Sequence, residues 1–417
     1  MRIPVLGAIS EMSSRARDWY LDLAKWHPGV LGFGGYGSEH EARILCRVLM
    51  TRESAQRNWL EQKRGWRQFF DTQVPRQPVV VQIGKAVRIV EADRGGYIDV
   101  TMRGHGLKAG WQSAHVHALN RADYHRLKGE LLSGVGWGKL TPELLVARAR
   151  HLGIRLSRGT VVPVRIIGDH EKVGIISDID DTIMISMVPQ PLRAVRYAMI
   201  SKVASRQAVP GMPLFLRDLA VEAAYASQED TPGPRAPHST YDVPSLPPAQ
   251  FYLSTGAWNT VPTLRPFLRR AGFPKGTALL RAWWFTDGGT LPGSGSKFKL
   301  SQFADMVEML PHVKWILVGD NGQTDPQTFT TFAQLWPDQL AAVAIRKLDA
   351  MAHMRSSGRR SQRYQGDRSA VPEAVPVIYG EDGYQLRHAA TTPVFREALR
   401  ARLAEQQPTG QVGADVD

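Results

Sequence analysis

Gly174-Ile175-Ile176-Ser177-Asp178-Ile179-Asp180-Asp181-Thr182 is the stretch on which the reading of this chain turns. An apolar pair leads into three carboxylates within four positions. Anions crowded in a fold repel one another and lose hydration, so such density survives where a cation or a phosphate chemistry uses it. The run predicts a buried strand whose C-terminal end delivers Asp178 and Asp180 to a polar site. Side chains two apart on a strand face the same way. Taken alone, the stretch also reads as an acidic turn capping the next helix, with Asp181 or Thr182 as the cap.

Segments farther along favour the first reading. Phe251-Tyr252-Leu253-Ser254-Thr255 is a second apolar run, ending in hydroxyls. Lys297 and Lys299 follow a Gly/Ser loop, and Trp315-Ile316-Leu317-Val318-Gly319-Asp320 is a third apolar run, followed by Asp325. Carboxylates, hydroxyl, lysine and carboxylates therefore occur in that order, each after a strand-like run or at a helix start. In an open parallel sheet the strand C-termini gather along one edge, where ligands bind.

This half of the chain resembles the haloacid dehalogenase-like phosphatases. Asp178-x-Asp180-x-Thr182 is similar to their first motif, Ser254 to the second, Lys299 (or Lys297) to the third, and Gly319-Asp320-x4-Asp325 to the fourth. The flanks Tyr252-Leu253-Ser254-Thr255-Gly256-Ala257-Trp258-Asn259 and Gln323-Thr324-Asp325-Pro326 narrow the likeness. They resemble the actin-patch-associated phosphatidate phosphatase catalytic-domain family, which has many bacterial members, over roughly residues 171–350. The resemblance implies a haloacid dehalogenase-like, Rossmannoid parallel α/β sheet and a Mg2+-dependent phosphatase acting in lipid metabolism. It implies catalytic roles for Asp178, Asp180, Ser254 and Lys299. Asp178, Asp180, Asp320 and Asp325 would be metal ligands, and Thr182, Thr255 and Gly256 substrate-binding positions.

Those roles make chemical sense. A phosphomonoester repels anionic nucleophiles, and oxygen donors from several carboxylates suit Mg2+. Asp178 is the expected nucleophile and Asp180 the expected acid and base. Ser254 and Lys299 are expected to hold the phosphoryl oxygens. Ser254 also fits a helix cap, Lys297 and Lys299 a solvated surface, and Asp325 a cap before Pro326.

Composition sets the outer limits. The chain has 417 residues, 43% hydrophobic and 22% charged, with a single cysteine, Cys46, so an internal disulfide is excluded. No run approaches the roughly 20 apolar residues a membrane-spanning helix needs, and Met1 to Gly32 lacks the apolar core of a signal peptide. The reading is a cytoplasmic protein with peripheral membrane contact at most. A formal charge of +13 suits anionic lipid or phosphorylated partners. Nucleic acid is not expected, because basic and aromatic residues are not interleaved.

Along the chain, residues 1–34 read as a helical arm ending at His27-Pro28-Gly29. Gly32-x-Gly34-x-x-Gly37 matches a dinucleotide fingerprint in form only, because no strand precedes it. Residues 35–170 read as a small β-sandwich or barrel module with helical insertions, one of them capped by Thr141 with Pro142 behind it. His115 and His117 alternate on one strand without a third ligand, which argues against a metal there. Residues 171–350 alternate strand and helix, and 228–248 form a Pro-rich insertion. Residues 351–417 read as an Arg-rich, partly disordered tail with a strand near Val375–Tyr379 and a helix at Pro393–Ala404. Besides a phosphatidate phosphatase, the motifs allow a phosphatase for soluble or protein phosphoesters. A membrane or nucleic-acid adaptor without activity is the remaining alternative.

Overall fold

The computed structural model describes residues 26–52, 74–134, 140–154, 159–185, 207–227, 247–281, 295–321, 325–348 and 371–405. They group into two compact units, one within Met1–Gly34, Arg43–Gly106 and Ser113–Pro163, the other within Gly35–Ala42, Leu107–Gln112 and Val164–Asp417. Among the described residues, thirteen strands form two sheets.

The first sheet contains β1 (Trp26–Ser38), β2 (Glu41–Arg52), β3 (Pro78–Ile83), β4 (Ala86–Glu91), β5 (Tyr97–Arg103), β6 (Gly110–Ala118) and β7 (Thr160–Ile167). Its order is β4-β3-β6-β7-β1-β2-β5. β3 pairs antiparallel with both β4 and β6, whereas β1 and β7 are parallel. The sheet curls until its two outer strands approach: Arg88 on β4 donates to the Thr101 carbonyl on β5 at 3.1 Å. Of the two forms expected from the short strand runs, this nearly closed, barrel-like one is what forms. Two helices, α1 (Arg121–Gly134) and α2 (Pro142–His151), cover part of it. Val80, Val87, Leu119, Leu127, Leu145 and Ala149 form the buried cluster beneath them. Thr141 accepts the Leu144 N–H as the N-cap of α2, as its sequence foretold.

The helical arm expected over 1–34 is corrected for residues 26–34, which belong to β1. Pro28 and the glycines at 29, 32, 34 and 35 all have poor helix propensity, and strand pairing takes over. Residues 1–25 lie outside the described residues, as do most of the 228–248 insertion and 351–370 of the tail. The Gly32–Gly37 cluster lies inside β1 and opens no helix.

The second sheet is wholly parallel, in the order β10-β9-β8-β11-β12-β13. Its strands are β8 (Val173–Asp178), β9 (Ala249–Ala257), β10 (Thr277–Arg281), β11 (Lys314–Asp320), β12 (Leu340–Arg346) and β13 (Val377–Gly380). Every residue of β8 and β11 is buried, as expected of central parallel strands packed on both faces. Among the described residues, six α-helices belong to this unit: α3 (Met212–Ala226), α4 (Val261–Ala271), α5 (Gly295–Met309), α6 (Asp325–Leu335), α7 (Gly383–Ala390) and α8 (Pro393–Ala404). Among the described residues, no helix is long and apolar enough to cross a membrane.

The packing explains part of the motif. Trp315 is fully buried and stacks edge-on against Phe251 at 5.6 Å, and Phe251 against Tyr36 at 5.2 Å. Such pairs add about 0.5–1.5 kcal/mol each beyond burial. Gly174 makes room for the indole: a Cβ there would lie 2.4 Å from Trp315. The strand order has one reversal. From β8 the chain moves to β9 and β10 on one side, then crosses back to β11 on the other. The C-terminal ends of β8 and β11 therefore flank the topological switch point, the usual ligand position in open α/β sheets.

Candidate active site

Asp178 ends β8 and Asp320 ends β11, so both carboxylates stand at that switch point. The Thr182 hydroxyl lies 3.3 Å from an oxygen of each. Asp325 opens α6, and a Cβ on Gly319 would sit 2.6 Å from its Oδ2, so glycine is what lets this carboxylate turn inward. Asp325 Oδ2 also accepts the Asp320 N–H at 3.4 Å. Asp320 and Asp325 are each only 1% exposed. Ligand oxygens of Asp178, Asp320 and Asp325 all lie within 4.8 Å of one another.

Lys299 supplies the positive charge. Its ammonium donates to Asp178 Oδ1 at 2.6 Å and to Asp325 Oδ1. The helix that carries it starts at Gly295, so Lys299 sits in the second turn instead of opening the helix, as the sequence suggested. Of the two candidate lysines, Lys299 is the one inside the acidic cluster, at 6% exposure. Burial alone would push its ammonium down, but Asp178 and Asp325 more than reverse this and hold it above the usual lysine range. Burial raises Asp178 well above the usual carboxylate range; Lys299 opposes that shift, and Asp325, Asp320 and Asp180 add to it. One ammonium against three clustered carboxylates leaves excess negative charge in a dry site. A divalent cation would offset it, and the all-oxygen donor set suits a hard ion.

Asp180 follows a different course. Its Oδ2 accepts the Ser254 hydroxyl at 2.8 Å, and its carboxylate is not among the three clustered oxygens. Ser254 Oγ in turn accepts the Gly256 N–H at 2.9 Å. Thr255 packs beside the start of α5, where a Cβ on Gly295 would meet its methyl at 2.9 Å. Asp178, Asp180, Thr182, Ser254, Lys299, Asp320 and Asp325 are thus drawn together from four separated segments. His115 and His117 belong to no group of potential metal ligands among the described residues.

Two residues escaped the sequence reading. Arg346 ends β12, opposite Asp320 in register. It donates through Nη1 to the Asp181 carbonyl and through Nε to the Glu381 carbonyl at 3.0 Å. Asp181 has φ +63°, the left-handed region that L-residues enter at a cost of about 1 kcal/mol or more. Arg346 therefore braces the strained turn that follows the first motif. The signal was available: β12 is an apolar run ending in a charged residue, like β8 and β11. Asn321 is the second residue, its Oδ1 accepting the Leu348 N–H at 2.8 Å and so pinning the turn after β11.

Residues 173–347 match the family model described as the catalytic domain of phosphatidate phosphatase APP1. The chain carries a domain of that family. Phosphatidate phosphatase APP1 of Saccharomyces cerevisiae is 30% identical to the APP1-family domain over 175 residues, 42% of this chain and 26% of the yeast protein. The chain thus spans about a quarter of that relative's length. Among solved structures, a carbohydrate acetylesterase from Xanthomonas citri aligns at 11% identity over 71% of this chain and 70% of that one, with a TM-score of 0.19. A cycloisomaltooligosaccharide glucanotransferase from Paenibacillus sp. aligns at 9% identity over 77% and 44%, with a TM-score of 0.17. Neither structural likeness is close enough to carry an argument about the APP1-family domain.

Proposed function

We propose that the chain is a phosphatase that cleaves phosphatidate to diacylglycerol and phosphate through an aspartyl-phosphate on Asp178. Its phosphatase domain spans 171–350, follows a β-rich module over 35–170, and has the haloacid dehalogenase-like form. The observation that carries this reading is the meeting of Asp178, Asp180, Ser254 and Lys299 with the Asp178–Asp320–Asp325 cluster inside the family-matched segment.

Asp178, Asp320 and Asp325 would hold a magnesium ion, with the Asp180 backbone carbonyl as a further candidate ligand. When bound, the ion would offset the repulsion between the carboxylates and the phosphate and fix its orientation. A carboxylate oxygen of Asp178 attacks phosphorus as the bond to the glycerol oxygen breaks. Asp180 gives its proton to the departing alkoxide; it then takes one from the water that hydrolyses the acyl phosphate. Ser254 is placed to donate to a phosphoryl oxygen once substrate displaces its contact with Asp180. Lys299 spreads charge from the transferring group, and Thr182, Thr255 and Gly256 line the phosphate position.

The test is turnover of phosphatidate by the purified chain, alongside lysophosphatidate, nucleotides and sugar phosphates, each with EDTA or Mg2+. Mg2+-restored release of phosphate from phosphatidate, with weaker turnover of the soluble esters, is the expected result. Preference for a soluble ester would move the substrate. No turnover with any ester would end the phosphatase reading.

A further inference from the structure

The turn that follows β8 is tied by two routes to one short segment, residues 380–385, where β13 gives way to α7. The turn carries Asp180 and folds back on itself, the Asp181 N–H donating to the Met184 carbonyl at 2.9 Å. Asp181 stands there at φ +63°. A non-glycine residue keeps such a backbone only while its surroundings over-determine it.

The first route runs through Arg346, whose guanidinium joins the Asp181 and Glu381 carbonyls. The Glu381 peptide is itself fixed. Its N–H donates to Gln385 Oε1 at 3.0 Å, and the Gly380 carbonyl before it accepts the Lys347 N–H at 2.7 Å. The second route is backbone alone. The Val209 N–H donates to the Ile183 carbonyl at 3.0 Å, and the next residue, Pro210, accepts the Gly383 N–H at 2.8 Å. The approach is close enough to need glycine. A Cβ on Gly383 would lie 2.0 Å from the Met212 nitrogen, and one on Gly211 2.5 Å from the Tyr384 nitrogen. The family-matched segment ends at residue 347, so both routes lead to a part of the chain beyond it.

We propose that residues 380–385 clamp the first-motif turn and, through Arg346 and Pro210, position Asp180 against Ser254, completing the catalytic unit past residue 350. Arg346, Gly383 and Gln385 are positioning residues, acting through the turn. The use of the clamp in catalysis rests on the phosphatase reading; its hold on the turn does not.

The experiment measures amide hydrogen exchange and turnover on the full chain. It compares wild type with Gly383→Ala, Arg346→Gln, their double variant, and Gln385→Ala, whose exposed side chain keeps the test open if Gly383→Ala fails to fold. Each should speed exchange over residues 181–185 and leave β11 as in wild type. Gly383→Ala should lower kcat about tenfold or more and leave KM within about twofold, because a small misplacement of a reacting group costs rate. The double variant should lose scarcely more than the worse single one, as changes acting through one element do. Gln385→Ala should act in the same sense but less, and Gln385→Glu, which keeps an acceptor, should restore both readouts. Leu399→Ala, in the buried face of α8, is the control: it should lower Tm yet keep wild-type kcat and exchange over 181–185. Unchanged exchange over 181–185 in the clamp variants would overturn the clamp, as would an equal effect of Leu399→Ala. Faster exchange at wild-type kcat, or fully multiplicative losses in the double variant, would overturn the positioning of Asp180. A wild-type chain that turned over no ester would end the phosphatase reading, and exchange alone would then judge the clamp.

Discussion

The parallel sheet edge and the barrel-like sheet use charge in opposite ways. At the sheet edge, carboxylates are almost wholly buried and hold one another in place through Lys299 and Thr182. In the barrel-like sheet, Lys85, Arg88 and Arg103 are exposed, and the Arg88 guanidinium bridges β4 and β5 at the Thr101 carbonyl. Burial makes the first site expensive and exacting, since every charge there must be matched. Exposure makes the second cheap and tolerant, because water solvates what no ligand covers. Substitutions should therefore act as a steep loss at the sheet edge and as a graded one in the barrel.

The steepest loss should come from Asp178→Asn, which removes the proposed nucleophile and should lower turnover at least about a thousandfold, as measured by phosphate release. Asp180→Asn should follow at about a hundredfold or more, the scale of lost general acid and base catalysis. Lys299→Met should cost stability as well as rate. It strands Asp178 and Asp325 without their cation, and breaking a buried ion pair costs about 3–5 kcal/mol, readable as a lower Tm in EDTA. If Lys299→Met melted as wild type does, the contrast between a charge-locked edge and a tolerant barrel would fail. Arg346→Gln should weaken activity by about tenfold, a loss of roughly 1.4 kcal/mol through the unbraced Asp181 turn, with Arg346→Lys recovering part of it. Thr141→Ala, a cap on α2 in the barrel unit, should cost about 1 kcal/mol in denaturant melts and leave turnover unchanged.

Much of this was legible in the chain itself, for a physical reason. β8, β9 and β11 are buried on both faces, so each appears as an unbroken apolar run, and the polar residue where the run stops marks the sheet edge. Asp178, Ser254 and Asp320 could be found that way. Lys299 was harder to choose over Lys297, because both lie on one helix and only packing decides which ammonium turns inward. The helix itself begins four residues before Lys299, where Gly295-Ser296 reads as loop. Arg346 was legible by the same rule but carries no motif around it. The strand over Trp26–Ser38 was obscured because the helical reading of the residues ahead of it was carried on to residue 34, while its own glycines give little pattern. The short helix α7 was missed because Gly383 at its first turn suggests a loop, although Asp382 caps it.

The central claim is that Asp178 takes the phosphoryl group onto its own carboxylate. Acid quenching of the chain during turnover of phosphatidate with Mg2+, followed by peptide mass spectrometry, tests it directly. The account predicts a phosphoryl adduct on the peptide containing Asp178, absent from Asp178→Asn. Steady turnover with no adduct at any quench time, together with residual activity in Asp178→Asn near that of the wild type, would contradict it.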